Sequence, residues 1–301
     1  MKMIEINELW KKFSRFDALR GLSVHVDEGS ACMLIGANGS GKTTTIKTLT
    51  NLIEPDRGSV SVMGVSSRQL AAADYAKIGY VAENQELPER LTVGQFLAYL
   101  RPFYPSWDKE LETQILGQAP LPMRRRIGAL SHGMRVKLAL ICALSFRPRL
   151  LVFDEPFSGL DPLARDEFMD ILLRHLGQTT LLMSSHELDE VEAVATHVAF
   201  IDRGRLLFQE SMADLTARVR EVHVSNEGDA VLPPRLPPEW LDVKVLSGAI
   251  SFIETKFDEV GLESKICAAL GAARRIVAVR PVQLRSIFAA IARSIRHEAL
   301  I

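Results

Sequence analysis

The chain has 301 residues, with 36 Lys and Arg against 37 Asp and Glu. Its 47% apolar and 24% charged residues suit a globular chain and exclude wholesale disorder. A net charge of −1 excludes a protein that works by neutralising nucleic acid over a broad surface, so no nucleic-acid partner is expected. At about 150 residues per domain, two domains are expected. Cys32, Cys142 and Cys267 stand at no metal-ligand spacing, which excludes a zinc knuckle and suits a reducing compartment. The sequence holds no run of about 20 apolar residues and no apolar signal core, so a cytoplasmic protein or subunit is expected.

In chain order, alternation at Ile4 and Ile6 and at Leu22, Val24 and Val26 predicts half-buried antiparallel strands. The continuous apolar runs ACMLIG (31–36), LLVF (150–153) and TTLLMSS (179–185) predict buried strands. Helical spacing between them, as in 162–175, predicts a parallel α/β sheet. From residue 86 a helical pattern broken by Pro102 and Pro105 predicts an inserted helical segment. After residue 217 the pattern changes. EVHVS is expected to be a strand, and the proline-rich 232–240 an extended turn. DVKVLSGAISFIETKF should form a hairpin turning at Ser247–Gly248. A helix, the strand RRIVAVRP and a last helix should follow. This tail is expected to have its own core, including Phe252, Ile266, Leu270, Val277 and Ile287.

Gly36-Ala37-Asn38-Gly39-Ser40-Gly41-Lys42-Thr43 fits a phosphate loop. Its glycines let backbone amides wrap an anion, and the helix that follows adds its positive end. Lys42 supplies a point charge for phosphates, and the Thr43 hydroxyl can ligate Mg²⁺. The plain alternative is a chance glycine-rich turn, which the flanking strand and helix disfavour. LLVF ends in Asp154-Glu155. Carboxylates closing a buried strand are costly unless they serve a metal–nucleotide site. Asp154 would then hold Mg²⁺ and Glu155 would polarise water. His186 ends the third buried run on the same sheet edge. Alone it reads more readily as a structural histidine; three such strand ends converging on one edge favour a functional one. Ser131 is a plausible cap for the apolar helix after LSHGM.

GANGSGKTT (36–44), LSHGM (130–134), LLVFDEP (150–156), SGLD (158–161) and SSHELDEVE (184–192) together resemble the nucleotide-binding subunit of an ATP-binding cassette (ABC) transporter, over roughly residues 3–217. The resemblance implies an α/β fold, a P-loop NTPase cassette. It would have a RecA-like core, an antiparallel β subdomain and a helical insertion at about 86–147. A small α+β domain would follow at 218–301. It implies ATP with Mg²⁺, hydrolysis, and head-to-tail pairing with a second cassette, identical or different. Each ATP would be held by Gly36 to Thr44 of one protomer and by Ser131 and Gly133 of the other. Phe13, or failing that Phe16, would stack on adenine. Asp161 would communicate across the dimer, and His186 would contact the γ-phosphate. Integral membrane permease subunits are implied as partners, which places the chain on the inner face of the cell membrane. The tail resembles the exporter branch.

Two departures stand out. Where the family signature reads L-S-G-G-Q, this chain has His132 and Met134 in place of a glycine and the glutamine. In GYVAENQ (79–85), gapless spacing puts Glu83 where the family has a metal-contacting glutamine; Gln85 lies two residues further on. A soluble ABC ATPase with a non-transport role is the alternative. It would need paired cassettes or long insertions that this chain lacks. Lys42, Asp154, Glu155 and His186 argue against a dead cassette.

Overall fold

The computed structural model describes residues 1–301 apart from 187–191, 226–231, 234–235, 247, 272–273 and 299–301. The described residues form two compact units, one within Met1–Glu187 and Ala193–Gln209, the other within Leu188–Glu192 and Glu210–Ile301.

The apolar runs build the centre of the first unit. Its larger sheet has the order β10 (Arg205–Ser211), β9 (His197–Asp202), β3 (Ala31–Ile35), β8 (Thr180–Ser185), β7 (Leu150–Asp154), β6 (Ile78–Ala82). Pairing is parallel from β9 through β6. Every residue of β3, β7 and β8 is buried, as strands covered on both faces require. A second, antiparallel sheet runs β2 (Phe16–Asp27), β1 (Lys2–Phe13), β4 (Arg57–Val62), β5 (Val65–Ser66). Its alternating Ile4, Ile6, Leu22, Val24 and Val26 share one core with Cys32 and Leu34 of β3 and Ile46 of α1 (Lys42–Leu49).

A short α2 (Ala72–Tyr75) precedes β6. The insertion between β6 and β7 carries α3 (Val93–Leu100), α4 (Lys109–Gln118) and α5 (His132–Ser145). Thr92 and Gln95 cap α3 reciprocally, each side chain taking the other's backbone N–H. The helix stops at Leu100, because Pro102 lacks an N–H and the next turn tightens to a 3₁₀ turn. Glu112 of α4 is buried and accepts from Arg101 and the Trp107 indole, so the insertion has a polar clamp of its own. The helix α6 (Pro162–His175) links β7 to β8.

In the second unit α7 (Met212–Arg218) leads into an antiparallel sheet of order β12 (Trp240–Leu246), β13 (Ala249–Glu254), β11 (Arg220–Ser225), β14 (Ile276–Pro281). The helices are α8 (Leu262–Leu270) and α9 (Leu284–Glu298). Val222, Val224, Trp240, Ile250, Phe252, Leu262 and Ile266 form its core. Leu270 packs against that core, and Ile287 is buried. Val277 does not join them: it is 65% exposed. It sits on an edge strand where the register slips between His223 and Val224, leaving it without a cross-strand partner. Gly248 turns the β12–β13 hairpin with φ 78°; Ser247 lies outside the described residues. The break between the units falls at Gln209/Glu210, so α7 belongs with the tail.

Candidate functional site

The site grows from three strand ends of the parallel sheet. Leaving β3, the chain turns sharply through Gly36 to Gly41 into α1. A Cβ on Gly36 would lie 2.2 Å from the Ile201 carbonyl oxygen, and Gly41 has φ 112°, so both positions require glycine. Within this loop the Ser40 hydroxyl is buried without a hydrogen-bond partner. Lys42 is 5% exposed. Its ammonium donates to the carbonyls of Gly36 (2.7 Å) and Ala37 (3.3 Å) and pairs with Glu155 Oε1 at 3.0 Å.

At the end of β7, Asp154 Oδ1 accepts from Thr43 Oγ1 (3.0 Å) and Ser184 Oγ (2.8 Å). Burial pushes the Asp154 carboxyl up from its ordinary value, against the lowering effect of those two hydroxyls. Ser184 Oγ also accepts from the backbone N–H of Glu155 (2.9 Å). Glu155 has φ 50°, a left-handed conformation that costs a non-glycine residue about 1 kcal/mol or more. Its Oε2 lies 2.6 Å from His186 Nδ1, at the end of β8. Glu187 to Val191 of the SSHELDEVE stretch lie outside the described residues.

Asn38, Gly39, Lys42, Thr43 and Thr44 line one cleft. Glu83, Glu155, Ser158, His186 and Phe16 line the same cleft. Phe13, the aromatic expected there, is not among the lining residues. It ends β1 with the Lys11 ammonium over its ring. Phe16 instead opens β2, the strand that brings Ala18 and Leu19 against Gly41. Of the two alternatives in GYVAENQ, Glu83 borders this cleft. Its N–H donates to the Asp154 carbonyl and its carboxylate accepts from Ser158 Oγ (2.5 Å). Gln85 lines two other cavities, and its buried Oε1 has no partner.

Ser131, Gly133 and Asp161 do not line this cleft. Ser131 caps α5 by accepting from Met134 N (3.3 Å), and Asp161 caps α6 by accepting from Ala164 N (2.9 Å). A Cβ on Gly133 would meet Ala164 at 3.2 Å, so the two helix starts are neighbours. Sequence reasoning overlooked Ser158 and Ser184. Ser184 carried a usable signal: it is a hydroxyl next to the apolar LLM and close to the strand end.

The loop offers backbone donors, a buried cation and an unpartnered hydroxyl to an anion. Thr43, Asp154 and Glu83 offer hard oxygens to a divalent cation. That donor set fits a nucleotide triphosphate with Mg²⁺.

The sequence pattern described as ABC transporter matches residues 19–158. The bacitracin transport ATP-binding protein BcrA of Enterococcus faecalis is 30% identical over 224 residues, 73% of this chain and 72% of BcrA. The sulfate/thiosulfate import ATP-binding protein CysA of Bradyrhizobium diazoefficiens is 34% identical over 214 residues, 67% of this chain and 62% of CysA. A solved ATP-binding subunit of an ABC transporter superposes with a TM-score of 0.64 at 28% identity, covering 71% of this chain and 92% of its own. The chain belongs to the ABC transporter ATP-binding proteins.

Proposed function

We propose that this chain hydrolyses ATP with Mg²⁺ and powers export through separate membrane subunits, paired with a second cassette. The observation that carries the reading is the buried ion pair between Lys42 and Glu155, 3.0 Å apart. A phosphate-binding cation and a carboxylate base occupy each other in the cleft. An arriving triphosphate competes for the ammonium and releases the carboxylate.

Lys42 and the amides of Gly36 to Thr44 hold the phosphates. Thr43, Asp154 and Glu83 would hold Mg²⁺, which neutralises phosphate charge when bound. Glu155 accepts a proton from water as the water oxygen bonds to the γ-phosphorus and the bond to the ADP oxygen breaks. His186 fixes Glu155 through Oε2. Ser131 and Gly133 would complete the site of the second cassette, with Asp161 beside them. The export direction rests on the tail and on the resemblance to exporter-type chains. One relative is named for bacitracin transport and another for sulfate/thiosulfate import; the cargo of this chain would be chosen by its membrane subunits, which copurification from detergent extract identifies. A place on the inner face of the cell membrane follows from that partnership.

Glu155→Gln should bind ATP while turnover falls about 100-fold or more, as read by nucleotide binding and phosphate release. Turnover at the parent rate overturns the role. Lys42→Ala should fail earlier, at binding.

A further inference from the structure

Two of the three positions where this chain departs from the pattern it resembles, His132 and Glu83, meet the same residue. Ser158 Oγ donates to Glu83 Oε1 at 2.5 Å, and the Ser158 carbonyl oxygen lies 3.0 Å from His132 Nε2. A carbonyl has no proton to give, so the imidazole carries its proton on Nε2 and donates. An ionised carboxylate only accepts, so the serine proton points to Glu83.

Ser158 is well placed to link them. Its N–H donates to the Glu155 carbonyl at 3.2 Å, which ties it into the turn that leaves β7. Glu83 is tied to the same segment a second time, through its own N–H to the Asp154 carbonyl at 3.0 Å. Glu83 stands in the wall between the nucleotide cleft and an adjoining cavity at the start of α5, and His132 lines that cavity. Gly159, with φ 69°, passes under the imidazole; a Cβ there would come within 3.6 Å of Nε2. A glycine at 132 could make none of these contacts.

We propose that His132 is a positioning residue for Glu83, acting through Ser158. The imidazole N–H fixes the Ser158 peptide, the Ser158 hydroxyl fixes the Glu83 carboxylate, and the carboxylate is thereby held on the cleft side of the wall. The inference rests on the reading of Glu83 as a metal contact. It makes His132 and Glu83 one linked pair instead of two separate losses.

The test is equilibrium binding of a fluorescent ATP analogue to the dilute full-length chain, titrated with Mg²⁺ and repeated in EDTA. His132→Phe keeps a ring and removes the donor; His132→Gly removes the donor without adding bulk. Both should raise the Mg²⁺ concentration at half-effect about three- to tenfold, the span of one hydrogen bond between contacting groups. Affinity in EDTA should not change. His132→Gln, whose amide N–H reaches near the Nε2 position, should restore the parent curve. In a Glu83→Ala background the His132 substitutions should shift nothing. Superimposable Mg²⁺ curves for the parent and the two donor-less variants overturn the proposal, as does an equal shift in the Glu83→Ala background. If the parent's affinity ignores Mg²⁺, the metal reading of Glu83 and this inference fall together. A Mg²⁺-dependent parent with unshifted variants removes this inference alone.

Discussion

Glu83 and Gln85 show how much two residues of chain can decide. Strand β6 ends at Ala82, so the next few side chains fan outwards in different directions. Glu83 borders the cleft, while Gln85 turns towards α5. A carboxylate offers Mg²⁺ a full charge where an amide offers a neutral oxygen. Glu83→Gln should therefore need more Mg²⁺ for ATPase yet keep activity, because the amide oxygen still coordinates. Gln85→Ala should leave the Mg²⁺ curve nearly unchanged. The opposite pattern reverses the assignment. The aromatic pair is separated in the same way. Phe16→Ala should weaken nucleotide binding about tenfold, the loss of one stacking partner, whereas Phe13→Ala should have little effect. Competition between ATP and GTP should show little preference, since stacking does not read the purine edge.

The insertion sorts its aromatics by exposure. Phe96 is buried in α3, and Tyr104 stacks on Phe146 at 4.1 Å; these fill the segment's own core. Tyr99 and Phe103 are 58% and 61% exposed, with ring centroids 5.3 Å apart. Two adjacent exposed rings form an apolar spot suited to a partner. Tyr99→Ser with Phe103→Ser should leave the melting temperature and basal ATPase of the isolated subunit nearly unchanged, with stability shifting by about 0.5 kcal/mol or less. Assembly with the membrane subunits should fail. Phe96→Ser should instead cost about 3 kcal/mol or more and lower the melting temperature. Normal assembly of the Tyr99/Phe103 variant would move the docking surface elsewhere.

At the scale of the whole molecule, each unit has its own core. Leu34, Val152 and Leu182 lie in the first, Val222, Phe252 and Ile266 in the second. The tail also keeps its buried Glu254 paired internally, with the Trp240 indole and Lys265. A chain ending near residue 211, after β10, is therefore expected to stay folded and to bind ATP with the parent's affinity. Calorimetry should show one transition for it. Aggregation of the shortened chain would mean that the tail completes the cassette core.

The sequence by itself determined the parts that depend on neighbours along the chain. Apolar runs without alternation marked β3, β7 and β8, and glycine spacing marked the loop into α1. Asp154, Glu155 and His186 stood out because Asp154 closes a buried strand and Glu155 and His186 each follow directly on one. Parallel strands bring their ends to one edge whatever lies between them. The tertiary structure alone decided what depends on residues far apart in the chain. The Lys42–Glu155 pair, the grip of Ser184 on both Asp154 and Glu155, and the meeting of Glu83 with His132 at Ser158 join separate segments, and no local pattern encodes their contact. Phe16 and not Phe13 lines the cleft, because β2, not the end of β1, passes the phosphate loop. Val277 stayed in solvent because a register slip at a sheet edge turned it away from the core. Local physics sets which elements form, and packing sets which of their side chains meet.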